Sequence, residues 1–170
     1  MLLTNDGFIA IDTPRGWVRS EGPGLAAFLR KGDHDARSAE VLIYINTSCV
    51  GSKQTVDEFV QEDIAGFRAN FVKGTVRKEP SLKLAHVKGQ MLVWTFQSGE
   101  KSSAFERIAY ASESDRVLIL VLSAKSKALF DQSLPAFEGF VRSYRGSIWP
   151  ASEGKQPCQS SQAEPNAPSQ

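Results

Sequence analysis

Asp33, His34 and Asp35 set two carboxylates and an imidazole at consecutive positions, the donor types that hold a divalent metal. Neighbours one residue apart diverge, and no second His or Cys cluster accompanies them to complete a ligand set. A solvated turn is therefore expected, and no metal site is read here. His86 stands before a turn at Lys88 and Gly89 without a partner that would make it a general base, which points to a surface histidine. Cys49 would act as a nucleophile only as a thiolate beside a base. It closes an apolar, strand-like run and carries no signature of a cysteine hydrolase, so a small packed side chain is expected. An enzyme built on this chain would have to use Cys49, or a histidine with a carboxylate such as Asp33 or Glu106. Gly51-Ser52-Lys53-Gln54-Thr55 lies between a strand and a helix, where free amides attract phosphate, yet it lacks the Gly-x-x-x-x-Gly-Lys-Ser/Thr spacing. Lys53 should face solvent and Thr55 should cap the helix. No catalytic, cofactor-binding or metal-binding residue is assigned.

Two further sets concern surfaces and packing. Lys73, Arg77, Lys78, Lys83 and Lys88 concentrate positive charge that Glu79 alone opposes. Such a strip could dock an acidic partner, but lysines along a sheet edge also block edge-to-edge aggregation, and this second reading is favoured. Trp17, Trp94 and Trp149 are read as packing rather than ligand stacking.

The elements that must position these residues follow from periodicity. Phe8 and Ile11 form a short strand before a turn at Pro14-Arg15-Gly16-Trp17; a second strand starts near Trp17 and a third spans Leu25 to Lys31. Ala39 to Asn46 is apolar on both alternating faces and should be central. Val56, Phe59, Val60, Ile64, Phe67 and Phe71 make one helical stripe that must lie on the sheet, with Thr55 and Glu58 as its capping box and Gly74 as its closing glycine. Strands follow over Thr75 to His86, interrupted at Pro80, over Gln90 to Gln97 and over Ala104 to Ser112. Arg116 to Leu122 should neighbour Val41 to Ile45. A last helix carries Phe130, Leu134, Phe137, Val141 and Tyr144, and Pro135 implies that it begins around Asp131 to Ser133. The order favours an α+β fold, an antiparallel sheet of six to eight strands with two main helices.

Composition bounds the rest. The chain has 170 residues, 41% of them hydrophobic, and a net charge of +1, which gives no field to recruit nucleic acid. No apolar run approaches the length of a membrane-spanning helix. Residues 150–170 contain four prolines and no large apolar side chain, so residues 1–149 are expected to form one domain and 150–170 a disordered tail dispensable for folding. Two cysteines cannot make a disulfide framework, and Cys49 and Cys158 are expected to be reduced. The chain should be cytoplasmic if Met1 is its native start, and extracytoplasmic if an upstream signal segment has been removed.

Two motifs carry a family likeness. Phe8-Ile9-Ala10-Ile11-Asp12-Thr13-Pro14-Arg15-Gly16-Trp17 resembles the opening of PsbP-like and DcrB-like proteins, and Phe137-Glu138-Gly139-Phe140-Val141-Arg142-Ser143-Tyr144 resembles their closing helix. The resemblance spans Gly7 to Arg145. It implies a curved antiparallel sheet with helices on its faces, a fold shared by a photosystem subunit, a nuclear-import release factor, bacterial lipoproteins and secretion-system chaperones. It supplies no catalytic residues to transfer. The function it implies is a non-catalytic module that binds or assembles a protein partner, without cofactor. The alternatives are a chaperone holding an apolar client helix, and a small hydrolase-like enzyme using Cys49.

Overall fold

The computed structural model describes residues 2–4, 7–20, 26–33, 35–50, 54–84, 90–99, 104–113 and 116–148. The chain runs β1 (Leu2–Thr4), β2 (Gly7–Ala10), β3 (Trp17–Arg19), β4 (Ala26–Arg30), β5 (Val41–Cys49) and α1 (Val56–Asn70). It continues through β6 (Thr75–Lys83), β7 (Gln90–Gln97), β8 (Phe105–Glu113), β9 (Arg116–Ala124), α2 (Lys127–Arg142) and β10 (Gly146–Ile148). Seven strands form one sheet in the order β3-β4-β5-β9-β8-β7-β6, and β1, β2 and β10 form a second, smaller one. All pairings between these strands are antiparallel, so the α+β class and the strand number expected for the main sheet are both met. The two strands apolar on both faces are adjacent at its centre, with Ile43 opposite Leu122.

Alternation along these strands divides the core in two. Ile43, Leu120, Leu122 and Ala109 point to one face, where α2 lays Phe130, Phe137, Phe140 and Val141 on them. Phe96, Ile108, Tyr110 and Val121 point to the other, where α1 supplies Val60 and Ile64. The stripe on α1 meets the sheet as expected, although only Val60 and Ile64 are buried and Val56, Phe59, Phe67 and Phe71 are half-covered. Thr55 and Glu58 form the expected capping box, the Thr55 amide donating to Glu58 Oε2 at 2.7 Å and the Glu58 amide to Thr55 Oγ1 at 3.2 Å. The Thr55 backbone amide, then its hydroxyl, hold the Glu58 carboxyl below its ordinary range.

Three expectations need correction. Gly74 is not the helix-closing glycine: Phe71 is the C-cap, with φ −127°, and Gly74 is absent from the positive-φ positions. Its lack of a side chain serves close approach instead, since a Cβ there would stand 2.6 Å from the Phe67 ring. The last helix starts at Lys127, one turn ahead of expectation, because Ser126 caps it by accepting from the Leu129 amide at 3.3 Å. Pro135 lies inside that helix and forfeits one hydrogen bond to the Asp131 carbonyl, a loss that the buried Phe130, Phe137, Phe140 and Val141 offset. Finally, β1 and β10, which were not anticipated, pair with β2.

The two motifs at opposite ends of the chain meet in space. The Asp12 amide donates to Ser143 Oγ at 3.0 Å, the Arg145 amide to the Ala10 carbonyl at 2.8 Å, and the Arg145 guanidinium pairs with Asp12 at 2.5 Å. Gly16, at φ 82°, supplies the left-handed residue of the turn that lets the Trp17 amide reach Pro14 O at 3.0 Å. Tyr144 donates to Glu113 at the end of β8, and burial first and that carboxylate second push its hydroxyl above the ordinary tyrosine value. The expected boundary at 149 and the tail 150–170 lie outside the described residues.

Candidate functional site

The face beneath α1 is not wholly apolar. Glu106, Ile108 and Tyr110 alternate along β8 and point toward the helix, with Ser123 opposite Glu106 on β9 and Val121 standing between Ile108 and Tyr44 of β5. From α1, Asp63 reaches down between the half-covered Phe59 and the buried Ile64, and accepts a hydrogen bond from the Tyr110 hydroxyl. Tyr110 is itself fully buried and stacks edge-on with Phe59 at 6.2 Å. Two carboxyls and two phenols thus share one helix-sheet seam.

Their protonation reflects that enclosure. Burial pushes the Glu106 carboxyl above its usual range; a hydrogen bond with Ser123 pulls the other way, and the Asp63 charge adds to the rise. Burial also lifts the Tyr44 hydroxyl to about 12, with Glu106 and then Asp63 contributing. Tyr110 is raised by burial first and then by its bond to Asp63.

A second polar set lies on the opposite face at the sheet edge. Glu79 of β6 accepts from Thr95 Oγ1 at 2.7 Å and from Arg77 Nε at 2.8 Å, and Arg107 stands 3.6 Å away. Burial works to raise the Glu79 carboxyl, but Thr95, Arg107 and Arg77 together hold it below its ordinary range. Arg107 also lies over the Phe130 ring, 5.9 Å from its centroid. With Glu79 tied inward, the exposed Lys73, Arg77, Lys78 and Lys83 leave this border of the molecule cationic. β6 is an edge strand, with a register shift between Glu79 and Leu82 around Pro80, so the ground for the edge-protection reading is present.

The residues singled out from sequence fall as follows. Asp33 and Asp35 are exposed, and Asp35 Oδ1 accepts from the Arg37 amide at 3.0 Å, the solvated turn that was expected. His34, His86, Gly51 to Lys53, Lys88, Trp149 and Cys158 lie outside the described residues. Trp17 is buried in the α2-side core. Trp94 packs on the α1 side under the Lys78 ammonium, 5.8 Å from the ring centroid, with its indole Nε1 buried and without a hydrogen-bond partner among the described residues. Cys49 corrects its expectation: it is disulfide-bonded, so its sulfur offers no thiolate and the hydrolase reading built on it is withdrawn. Two cysteines are too few for a framework, but a single bridge needs none. Of the seam residues the sequence reading named only Glu106. The signal for the others was an acid, Asp63, inside the apolar stripe between Phe59 and Phe67.

The chain matches no protein-family profile, and none of the curated proteins compared with it is similar to it. Solved structures do match. One is PA94 from Pseudomonas aeruginosa, a protein of unknown function described as a candidate regulator, at 14% identity and TM-score 0.49 over 81% of this chain and 82% of that one. Another is the solution structure of the cyanobacterial PsbP, CyanoP, from Synechocystis sp. PCC 6803, at 11% identity and TM-score 0.41 over 82% of this chain and 91% of that one. A PsbP structure is thus among those this chain is similar to. No helix among the described residues is long and apolar enough to cross a membrane.

Proposed function

We propose that this chain is a non-catalytic protein-binding or assembly module whose partner presents an acidic, extended segment to the β6 edge. The observation that carries this reading is the disposition of charge on that edge: its acid, Glu79, is engaged by Thr95, Arg77 and Arg107, while Lys73, Lys78 and Lys83 are exposed along the edge strand of the sheet. Edge protection and partner choice are two results of one arrangement. Cationic side chains repel a second copy of the same edge and attract a strand of opposite charge. The chaperone reading asks for a continuous exposed apolar face. The large exposed apolar side chains among the described residues are Phe8, Val18, Val72 and Ile148, of which Phe8 and Ile148 stand opposite each other on the small sheet and the others lie elsewhere, which weighs toward the edge.

Fluorescence anisotropy with a Glu-rich, β-forming peptide tests the reading. Binding should weaken about tenfold in the Lys78→Glu/Lys83→Glu variant and fall with added salt. Equal affinity for the variant and the wild type would remove the β6 edge as the docking site.

A further inference from the structure

Among the described residues, the seam under α1 holds two acids and no base. Among the described residues, Ser123 from β9 and Asp63 from α1 act on Glu106, Glu106 and Asp63 act on Tyr44, and Asp63, Glu106 and Tyr44 act on Tyr110. β7 contributes Trp94 and Phe96 to this face, both uncharged, and β6 contributes Lys78, which is exposed and engaged over the Trp94 ring at the sheet edge. The remaining charges of α1, Asp57, Glu58, Glu62 and Arg68, are exposed. Glu106 and Asp63 are both half-buried, and a carboxyl so placed beside a second carboxylate, with no cation on it among the described residues, has the proton as its means of neutralisation.

We propose that this seam is a proton-operated latch: Glu106 in its acid form lets α1 lie closed on the sheet, and loss of that proton sets two carboxylates against each other across the helix-sheet contact and releases α1. The geometry makes the device local. Asp63 sits on the helix and Glu106 on β8, so their repulsion acts across the α1 contact, whereas α2 grips the opposite face through Phe137, Phe140 and Val141. α1 is also the more weakly held of the two, with only Val60 and Ile64 buried.

The sign follows from linkage. Burial and Asp63 raise Glu106's proton affinity in the closed state, so below the ordinary carboxylate range Glu106 is protonated open or closed and closure is at its strongest. Above that range the open state loses the proton first, and closure weakens until the raised closed-state value is passed. Opening then grows about tenfold for each pH unit within the window and is constant beyond it.

Hydrogen exchange of the full chain, corrected for intrinsic rates and followed from about pH 5 to pH 9, reads this directly. The amides of α1 should open more as pH rises while those of α2 stay level, and Glu106→Gln, which keeps the shape but cannot ionise, should flatten the α1 profile. A flat wild-type profile, a rise that survives in Glu106→Gln, or α2 opening in step with α1 would each overturn the latch. Should Glu106→Gln fail to fold, Asp63→Asn serves in its place. It keeps an acceptor for Tyr110 and removes the opposing charge, so the rise should end at lower pH. A profile superimposable on wild type would again overturn the proposal.

Discussion

The two faces of the seven-stranded sheet solve the same packing problem with opposite chemistry. On the α2 face the core is larger and mostly apolar, with Phe28 edge-on to Phe140 at 5.2 Å, and the acid at its β6 border, Glu79, is matched by Arg107 and Arg77. On the α1 face the core is smaller, and two half-buried acids beside it, Asp63 and Glu106, are met by hydroxyls among the described residues. A face that buries apolar area and pairs its ions has stability to spare, whereas a face that encloses unpaired acids binds closure to protonation. The first serves as scaffold. The second has the properties of a moving part.

Core truncation should give the largest difference. Phe137 is fully buried under α2, and Phe137→Ala should cost about 3–5 kcal/mol from lost transfer energy and the cavity left behind. Phe59, half-covered on α1, should cost about 1 kcal/mol when truncated in the same way. Urea unfolding of the two variants measures both. Equal losses would mean that the faces are energetically alike and that the comparison fails.

The pH dependence sharpens it at smaller amplitude. Glu79 is held below the ordinary carboxylate range, so what it contributes is present above that range and is lost as pH falls through its own lowered value. Glu106 has the reverse sign, its contribution fullest below the ordinary range and lost as pH rises. Glu79→Gln should therefore flatten the acid limb of a melting-temperature profile and Glu106→Gln the limb above it. At neutral pH Glu79→Gln should also lower stability, because it removes the carboxylate charge that faces the mostly buried Arg107 at 3.6 Å. Both variants flattening the same limb would contradict the opposite assignments.

Legibility in the sequence tracked the length of the repeating pattern. Gln90 to Gln97 reads with its observed bounds because aromatic and aliphatic residues alternate without interruption, and α1 reads because its stripe comes with its cap. Three-residue strands such as β1 and β10 offer too few positions for a period to register. Proline was given too much weight at 135, where a buried apolar face outweighs one missing hydrogen bond. The seam was hidden because its members come from β5, α1, β8 and β9, and only the pairing register brings Glu106 beside Ser123 and within reach of Tyr44. Glu106 and Tyr110 do share a strand face by their spacing, but nothing in the spacing says that a helix covers it or that Asp63 comes with that helix.

The smallest effect expected is at the entry to α1. Thr55 accepts from the Glu58 amide and donates both its own amide and its hydroxyl to the Glu58 carboxylate, so Thr55→Ala loses the side-chain half of the capping box while leaving every core contact in place. The cost should be about 1 kcal/mol, the ordinary value for removing a threonine cap. Because the loss falls on α1 alone, it should raise hydrogen exchange in the first turn of that helix by about fivefold and leave α2 unchanged. It should also leave the pH at which α1 begins to open where it is in the wild type, since Thr55 does not touch the seam. An α2 that exchanges faster in Thr55→Ala would show that the two faces open as one, and the division between scaffold and moving part would be lost.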